Sequence, residues 1–330
     1  MLSRFCLAAG LSLVLRALAD VLAPLEDGIT KIYGNSFGVP GLNASYDYVI
    51  IGGGTAGNTI AARLAQDPAN YTVAVIEAGS FYEILNGNRT QVPGYSYESA
   101  LSSSSHPVSM IEWDGLKTAP QAGYNGRTID YVAGQTFGGG SASNYMGYFR
   151  PTAGSLDQWA DLVGDQTWEW DNVYPFFKMS CNFTPPNYDK INPSANISYD
   201  PDAFIPNAGP LQVSYGNYQY SYGAPLSQGL ESLGFSPLAG INSGKLIGYS
   251  AATVSVDPRT ATRSSSETSF LQSAAKNSSI KIYPNTLAKR ILFDSDKRAT
   301  GVEVQAASLH NFTYNLWANK EIILSAGAVS

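Results

Sequence analysis

Residues 46–80 read YDYVIIGGGTAGNTIAARLAQDPANYTVAVIEAGS, and this stretch decides the fold of the chain. Tyr46–Ile51 is a β-branched and aromatic run, which is typical of a buried parallel strand. Gly52, Gly54 and Gly57 follow with the spacing G-x-G-x-x-G. The first glycine permits the tight turn, the second lets the backbone approach a pyrophosphate, and the third lets a helix pack against the strand. The stretch therefore predicts a strand, a Gly-rich turn and a helix.

The residues after the turn complete the unit. We predict one helical face formed by Ala56, Ile60, Ala61 and Leu64. The N-terminus of this helix directs its amides and the positive end of its dipole at a phosphate. A second strand, Thr72–Ile76, then delivers Glu77, whose carboxylate can accept both ribose hydroxyls and repels a 2′-phosphate. The pattern predicts a dinucleotide site in a Rossmann-like α/β fold, disfavours NADP, and does not separate NAD from FAD.

A second Gly-rich stretch, GQTFGGGSASNYMGYFRP, covers residues 134–151. Three consecutive glycines followed by Ser141, Ala142 and Ser143 form a loop with little side-chain bulk. Such a loop allows a flat ring to lie close to backbone amides, and Asn144 adds a directional donor and acceptor. By itself the stretch is better explained as a Gly-rich β-turn.

Taken together, these motifs resemble the glucose–methanol–choline (GMC) flavin oxidoreductases. The resemblance runs from Tyr46 to Ser330 and rests on GGGTAG at 52–57, EAG at 77–79, the stretch 134–151, TRSSSETSFL at 262–271 and the closing SAGAVS. FYEILNGNRTQVPGY, WADLVGD and FFKMSCNFTPPN resemble the secreted fungal branch of aryl-alcohol oxidases and patulin synthase-like dehydrogenases.

The resemblance implies roles for individual residues in binding FAD. Thr55 and Ala56 would contact the pyrophosphate, and Glu77 with Ala78 the adenosine ribose. The residues expected along the flavin ring are Asn144, Tyr145, Met146 and Gly147. Trp113 would pack near the cofactor, although core packing explains it equally well, and the backbone at Ala288 would meet adenine. Gln135 departs from the family, in which a basic residue is common at this position.

The resemblance also implies a reaction. A base removes the hydroxyl proton of a primary alcohol, of the aromatic or secondary-metabolite class, while hydride passes to flavin N5, giving an aldehyde. Oxygen or a quinone then reoxidises the flavin. The alternatives are an NAD-dependent dehydrogenase and a non-catalytic remnant that binds flavin or nothing.

The N-terminus is typical of a secretory signal peptide. Arg4, an apolar stretch and the sequence Ala17-Leu18-Ala19 predict cleavage before Asp20. Cleavage removes Arg4, Arg16 and Cys6, which takes the net charge from −6 to −8 and leaves Cys181 alone. The acidic balance argues against nucleic acid or an anionic membrane as a partner, and a lone cysteine excludes an internal disulfide.

Seven N-glycosylation sequons support the secretory route. Their asparagines are Asn43, Asn70, Asn88, Asn182, Asn196, Asn277 and Asn311.

Zinc motifs are absent from the sequence, which contains no H-E-x-x-H and no C-x-x-C pattern. Its one G-x-S-x-G match, GNSFG at 34–38, precedes the first predicted strand instead of following one, which argues against a serine-hydrolase nucleophile turn. After cleavage two histidines remain, His106 and His310, and both are expected in solvated loops. The acids Asp200 and Asp202 lie in a Pro-rich segment and are expected at the surface.

The predicted organisation is a discontinuous FAD-binding domain with an inserted, incomplete α+β substrate domain. The ranges are 1–19 for the signal, 20–45 for an N-terminal extension, 46–150 and 224–330 for the FAD-binding domain, and 151–223 for the substrate domain. Helices are predicted at Ser155–Leu162, Asp171–Met179 with Asp171 as its cap, Ala224–Leu233 and Glu267–Lys276. Later strands are predicted at Ile280–Tyr283, Leu287–Asp294, Gly301–Gln305, Phe312–Trp317 and Glu321–Ser325, with a hairpin turn at Asp294–Arg298.

The end of the sequence resembles the beginning of the family's second signature. Family members continue beyond this point into a C-terminal region that completes the substrate domain and carries the catalytic His with a second His or Asn. Neither His106 nor His310 matches that position. The sequence therefore leads us to expect a truncated, catalytically incomplete form with an exposed strand edge at Glu321–Ser325.

Overall fold

The computed structural model describes residues 34–96, 110–191, 197–218, 220–245, 247–307 and 312–328. The predicted signal peptide, the two histidines His106 and His310, and the sequon residues Asn196 and Asn311 lie outside these ranges.

The described residues form twelve strands and eight α-helices. The strands are β1 Ala44–Ile51, β2 Val73–Ile76, β3 Gly147–Tyr148, β4 Cys181–Phe183, β5 Leu211–Val213, β6 Thr253–Val254, β7 Val256–Asp257, β8 Thr262–Arg263, β9 Lys281–Tyr283, β10 Thr286–Phe293, β11 Ala299–Ala306 and β12 Phe312–Leu324. The helices are α1 Thr55–Ala65, α2 Tyr82–Leu85, α3 Asn88–Gln91, α4 Gly140–Ser143, α5 Ala153–Val163, α6 Trp170–Met179, α7 Gly223–Ser232 and α8 Gln272–Asn277.

The chain divides into two units. The first comprises residues up to Ser80 and from Phe270 onward, and the second comprises Phe81–Ser269. This division reflects packing within the chain, and the functional domain boundaries expected from the sequence stay a prediction.

A six-stranded sheet in the order β10-β11-β12-β1-β2-β9 forms the centre of the first unit. β1 pairs in parallel with β12 and β2, and β2 pairs in parallel with β9. The last three residues of β1 and all of β2 are buried, as their continuous apolar runs predict. The predicted Rossmann-like strand–helix–strand unit is thus confirmed.

β12 joins two kinds of pairing in one strand. Its first half pairs antiparallel with β11, from Phe312 to Trp317, and its second half pairs in parallel with β1 up to Leu324. The prediction of two separate strands here was wrong, because residues 318–320 stay extended as the strand changes partner. Among the described strands, residues 318–324 have a paired neighbour on the β1 side only.

Helix α1 buries a different face from the predicted one. Ala61 is buried as expected, but Ala56 and Ile60 are exposed and Leu64 is only half-buried. The buried positions are Gly57, Asn58, Ala61, Ala62 and Ala65. The close approach of Gly57 to the preceding turn sets the rotation of the helix about its axis, which the apolar periodicity alone does not reveal.

The remaining predicted elements were found with small changes. The predicted helix Glu267–Lys276 is a π-helical turn, Glu267–Leu271, that continues into α8. The hairpin at Asp294–Arg298 is confirmed, since an Asp294 carboxylate oxygen accepts from the backbone N–H of Asp296 and Arg298. Asp171 does not cap α6, because it lies within the first turn of a helix that follows Glu169.

A buried arginine organises one end of the second unit. Arg150 follows β3, and its guanidinium donates to the backbone oxygens of Ala203 and Phe177. Its guanidinium carbon lies 4.9 Å from the ring centroid of Phe204. Backbone carbonyls and aromatic faces therefore solvate this cation, beside the buried free thiol of Cys181.

We predict that Gly57→Ala lowers the free energy of unfolding by about 1–3 kcal/mol, because the new Cβ has no room. A Cβ at this position would lie 1.9 Å from the carbonyl oxygen of Gly52, a backbone atom. Denaturant unfolding of the purified chain measures the effect.

Gly229→Ala is the matched control. This glycine lies within α7, and a Cβ there meets no atom within 4 Å. The control should leave stability unchanged or raise it by up to about 1 kcal/mol. Equal effects of the two substitutions would contradict the close approach at Gly57.

Candidate functional site

The turn after β1 is closed by glycines and by Ser325. Gly52 has φ +98°, and a Cβ there would lie 2.5 Å from the carbonyl oxygen of Ser325. The Ser325 hydroxyl donates to the carbonyl of Ile51 at 3.0 Å and lies 3.2 Å from that of Gly52. The end of β12 therefore packs directly against the Gly-rich turn, which explains why only glycine fits at Gly52.

The N-terminus of α1 offers its backbone amides to this turn. Thr55 and Ala56 begin the helix and are exposed, and Gly54 precedes them with no side-chain cap. The first turn contains no acidic residue. Because the helix dipole places partial positive charge here, the arrangement suits an anionic group such as a phosphate.

Glu77 lies at the carboxyl end of β2 with both carboxylate oxygens engaged. Oε2 accepts from the backbone N–H of Gly53 at 2.8 Å, and Oε1 accepts from that of Gly79 at 2.9 Å. The side chain is 7% exposed. Burial raises the pKa of the Glu77 carboxyl, and the backbone N–H donors oppose this shift. The backbone N–H of Ala78 is a third donor to this carboxylate, so one of its four acceptor positions remains for a further donor such as a ribose hydroxyl.

The other predicted residues of the first unit lie nearby in the sheet. Ala78 follows Glu77 and is half-buried. The backbone N–H of Thr286, the first residue of β10, donates to the carbonyl of Glu77 at 2.8 Å. Ala288 is on β10 opposite Val304 of β11. The first unit thus gathers seven of the predicted residues at the carboxyl ends of β1 and β2, with Ala288 on the strand that starts against Glu77.

The second Gly-rich stretch belongs to the second unit and folds tightly on itself. Gly138 has φ +95°, and a Cβ at Gly134 would lie 2.7 Å from the carbonyl carbon of Gly139. The Ser141 hydroxyl donates to the carbonyl of Gly138 at 2.6 Å and accepts from the backbone N–H of Ser266 at 3.0 Å. The motif at 262–271 therefore supports the glycine loop.

The four residues expected along a flavin ring differ in exposure. Asn144, Tyr145 and Gly147 are exposed, and Met146 is 1% exposed. Met146 has φ +62°, which is unusual for a residue with a side chain. Its carbonyl accepts from the backbone N–H of Ser255 at 2.7 Å. The segment is thus anchored at Met146 and presents its neighbours outward.

Trp113 and Glu112 lie on an extended segment beside the start of the glycine loop. The backbone N–H of Trp113 donates to the carbonyl of Ala133 at 3.0 Å, and its side chain is half-buried. Glu112 pairs with Gly134 and is 6% exposed. Its Oε1 has no hydrogen-bond partner, and burial raises the pKa of its carboxyl to about 7.

Two notable residues escaped the sequence analysis. Arg263 was quoted only as part of a motif, yet its guanidinium is buried and bonded to Asn144. Glu112 carried no signal beyond its position before Trp113. The sequence offered a cue for Arg263 alone, namely a basic residue beside a run of small polar residues.

The family model described as GMC oxidoreductase matches residues 46–330. The chain belongs to the GMC oxidoreductase family. Its structure is similar to an FAD-dependent oxidoreductase from Chaetomium thermophilum, with TM-score 0.76 and 34% identity over 86% of this chain and 45% of the other. It is similar, at 26% identity, to a fungal aryl-alcohol oxidase with TM-score 0.76 over 87% of this chain and 46% of that one.

Among curated relatives, the chain is 48% identical to glucose methanol choline oxidoreductase atC of Aspergillus terreus, over 91% of this chain and 48% of the relative. It is 42% identical to patulin synthase of Aspergillus clavatus, over 94% of this chain and 50% of the relative. The chain thus spans about half the length of the curated relatives it matches. The expected family and fold class are confirmed.

FAD is the cofactor of this family, and the first unit fits its pyrophosphate and ribose. The fit rests on the glycine cradle at Gly52 and Gly57, the start of α1 after its N-cap glycine, and the carboxylate of Glu77. In the described ranges no group of three His, Cys, Asp or Glu side chains could hold a metal ion. No helix of the described residues is both long and apolar enough to span a bilayer.

We predict that stability falls as pH rises from about 4.5 to 7 through the titration of Glu112. Its folded-state pKa of about 7 lies above the ordinary value of 4.5, so the folded protein holds this proton more tightly than the unfolded chain. The stabilisation that the protonated Glu112 carboxyl contributes to the folded state is therefore full below pH 4.5 and is lost above pH 7. It amounts to about 1–2 kcal/mol after allowance for solvent screening.

Glu112→Gln, which mimics the protonated form, should remove this pH dependence from the unfolding midpoint. Asp114→Asn is the control, since Asp114 is an exposed acid two residues away. Parallel pH profiles for the parent chain and Glu112→Gln would contradict the assignment.

Proposed function

We propose that this chain forms the FAD-binding part of a GMC oxidoreductase that oxidises a primary alcohol to an aldehyde. The observation that carries the proposal is the Glu77 carboxylate, which bridges the N–H groups of Gly53 and Gly79 beside the N-terminus of α1, where the N-cap residue is a glycine. A dinucleotide needs this combination, because its diphosphate requires N–H donors and its ribose requires an acceptor.

In this proposal the first unit holds the ADP part of FAD. Gly52, Gly54 and Gly57 keep the turn free of side chains, and the amides at Thr55 and Ala56 bind the pyrophosphate. Glu77 and Ala78 take the adenosine ribose, and the backbone at Ala288 takes adenine. The acid at Glu77 also favours an unphosphorylated ribose, which argues against NADP.

The second unit supplies the residues proposed for the flavin ring. Asn144, Tyr145 and Gly147 offer an amide, a phenol and exposed backbone on one stretch, and Met146 anchors it. Trp113 is proposed to pack against the cofactor, and its half-buried side chain suits that role and core packing alike.

The reaction needs a hydride acceptor and a base. Bound FAD supplies the hydride acceptor, and oxygen or a quinone is the proposed final electron acceptor. The described residues contain no histidine, since His106 and His310 lie outside them. We propose that the base belongs to the half of the relatives' length that this chain does not match, as the sequence resemblance implies.

The substrate class is proposed from the relatives. Patulin synthase and versicolorin B synthase at 37–42% identity, together with the aryl-alcohol oxidase, favour an aromatic or secondary-metabolite alcohol. Secretion through the signal at residues 1–19 also stays a proposal.

Glycosylation is proposed at the exposed sequons Asn43, Asn70, Asn88 and Asn277. Asn182 is a poorer acceptor in the folded chain, because its Nδ2 donates to Gln212 at 3.2 Å and its Oδ1 accepts from the N–H of Asn207.

Reconstitution tests the cofactor assignment. The purified chain, mixed with excess FAD and desalted, should stay yellow with a flavin spectrum and should not retain NAD. Alcohol oxidation by this chain should be lower by about 10²–10⁴ than with base catalysis. A colourless protein would contradict the proposal, and turnover with added nicotinamide would favour the NAD-dependent alternative.

We predict that Glu77→Gln weakens FAD binding by about 1.5–3 kcal/mol, since a neutral amide replaces a charged acceptor at the ribose. The amide can also accept from only one of Gly53 and Gly79. Isothermal titration with FAD measures the loss.

Glu303→Gln is the control in the same unit. Glu303 forms a surface ion pair with Arg290 at 3.1 Å on β11 and β10. Glu303→Gln should leave the affinity of the chain for FAD unchanged. Equal affinity of Glu77→Gln and the parent chain would show that the ribose does not contact this acid.

A further inference from the structure

Arg263 is a buried cation whose Nε and Nη1 donate to carbonyl-type oxygens. Its side chain is 3% exposed, and Nε donates to the carbonyl of Thr90 at 2.8 Å. Nη1 donates to the carbonyl of Ser141 at 3.0 Å and to Oδ1 of Asn144 at 2.9 Å. Burial lowers the pKa of the guanidinium to about 10, so it keeps its charge at neutral pH.

The contact with Asn144 fixes the orientation of that amide. Oδ1 accepts from the Arg263 guanidinium and also from the backbone N–H of Met146 at 3.0 Å. An oxygen with two lone pairs is then fully used, and a flipped amide would place N–H against both donors. The exposed Asn144 therefore has only its two Nδ2 hydrogens to offer to a ligand.

The same contacts hold an unfavourable backbone conformation. Met146 sits at φ +62°, which costs on the order of 1 kcal/mol for a non-glycine residue and persists only when its surroundings enforce it. The backbone N–H of Met146 donates to Oδ1 of Asn144, and the carbonyl of Met146 accepts from the N–H of Ser255. The N–H of Ser264, the neighbour of Arg263, donates in turn to the carbonyl of Ser255 at 2.9 Å.

We propose that Arg263 is a positioning residue for the flavin-binding segment. It makes Asn144 a pure hydrogen-bond donor toward an acceptor atom of the flavin ring and holds Met146 in its left-handed conformation. The proposal rests on the function proposed above, because it assigns a role to Arg263 in binding the same cofactor.

An arginine is required by the geometry of these bonds. The planar guanidinium reaches Thr90 through Nε while Nη1 contacts Ser141 and Asn144, and a lysine ammonium cannot reproduce this fork. Arg263→Lys therefore keeps the positive charge and loses part of the contact set.

A double-mutant cycle on FAD affinity tests whether Arg263 acts through Asn144. Arg263→Lys should weaken FAD binding about tenfold in the parent chain. In the Asn144→Ala background the same change should cost less than about twofold, because the amide that Arg263 orients is gone. Equal losses in both backgrounds would overturn the proposal, since a purely structural effect does not depend on Asn144.

Arg259→Lys is the matched control. Arg259 lies in the turn of the same β7–β8 hairpin, and its exposed side chain contacts Asp257 at 2.6 Å. This substitution should leave FAD affinity unchanged in both backgrounds.

Hydrogen exchange of the FAD-free chain separates this inference from the proposed function. Peptides covering residues 144–149 should show a protected Met146 amide that exchanges at least about tenfold faster in Arg263→Lys and in Asn144→Ala, but not in Arg259→Lys. Unchanged exchange would overturn the link between Arg263 and Met146. Absence of FAD binding by the parent chain would refute the proposed function and the flavin role of Arg263, while the exchange result still decides the link.

Discussion

The Glu77 carboxylate accepts hydrogen bonds from the backbone N–H groups of Gly53 and Gly79, and so joins the turn after β1 to the turn after β2. Both turns lie at the carboxyl ends of parallel strands, where an α/β sheet leaves backbone groups unpaired. A buried charge is tolerated here because backbone donors surround it. These two hydrogen bonds therefore help to fix the Gly-rich turn, and with it the start of α1.

The first unit brings distant parts of the chain to that turn. Ser325, at the end of β12, contacts the carbonyls of Ile51 and Gly52 through its hydroxyl. The close contacts at Gly52 and Gly57 leave no space for side chains, so the backbone itself forms the surface available to a cofactor. This arrangement is how a parallel sheet provides N–H donors to a diphosphate without using charged side chains.

In the second unit, buried arginine side chains hold the loops together. Arg150 and Arg263 are both nearly inaccessible, and backbone carbonyls take most of their hydrogen bonds. A guanidinium has five donors in a fixed plane, so one side chain can connect several loops that have little regular secondary structure. Short strands such as β3 and β8 would otherwise have few interactions to hold them, because each is only two residues long.

The amino-acid sequence by itself determined the strand–turn–helix–strand unit, the acid at Glu77 and the family, because these depend on local spacing and on short-range periodicity. It also located the segment around Asn144. Only the tertiary structure decided which face of α1 is buried, that β12 is one continuous strand, and that Arg263 orients Asn144. These features depend on contacts between residues far apart in the chain, such as the 119 positions that separate Asn144 from Arg263, and local patterns carry no information about them.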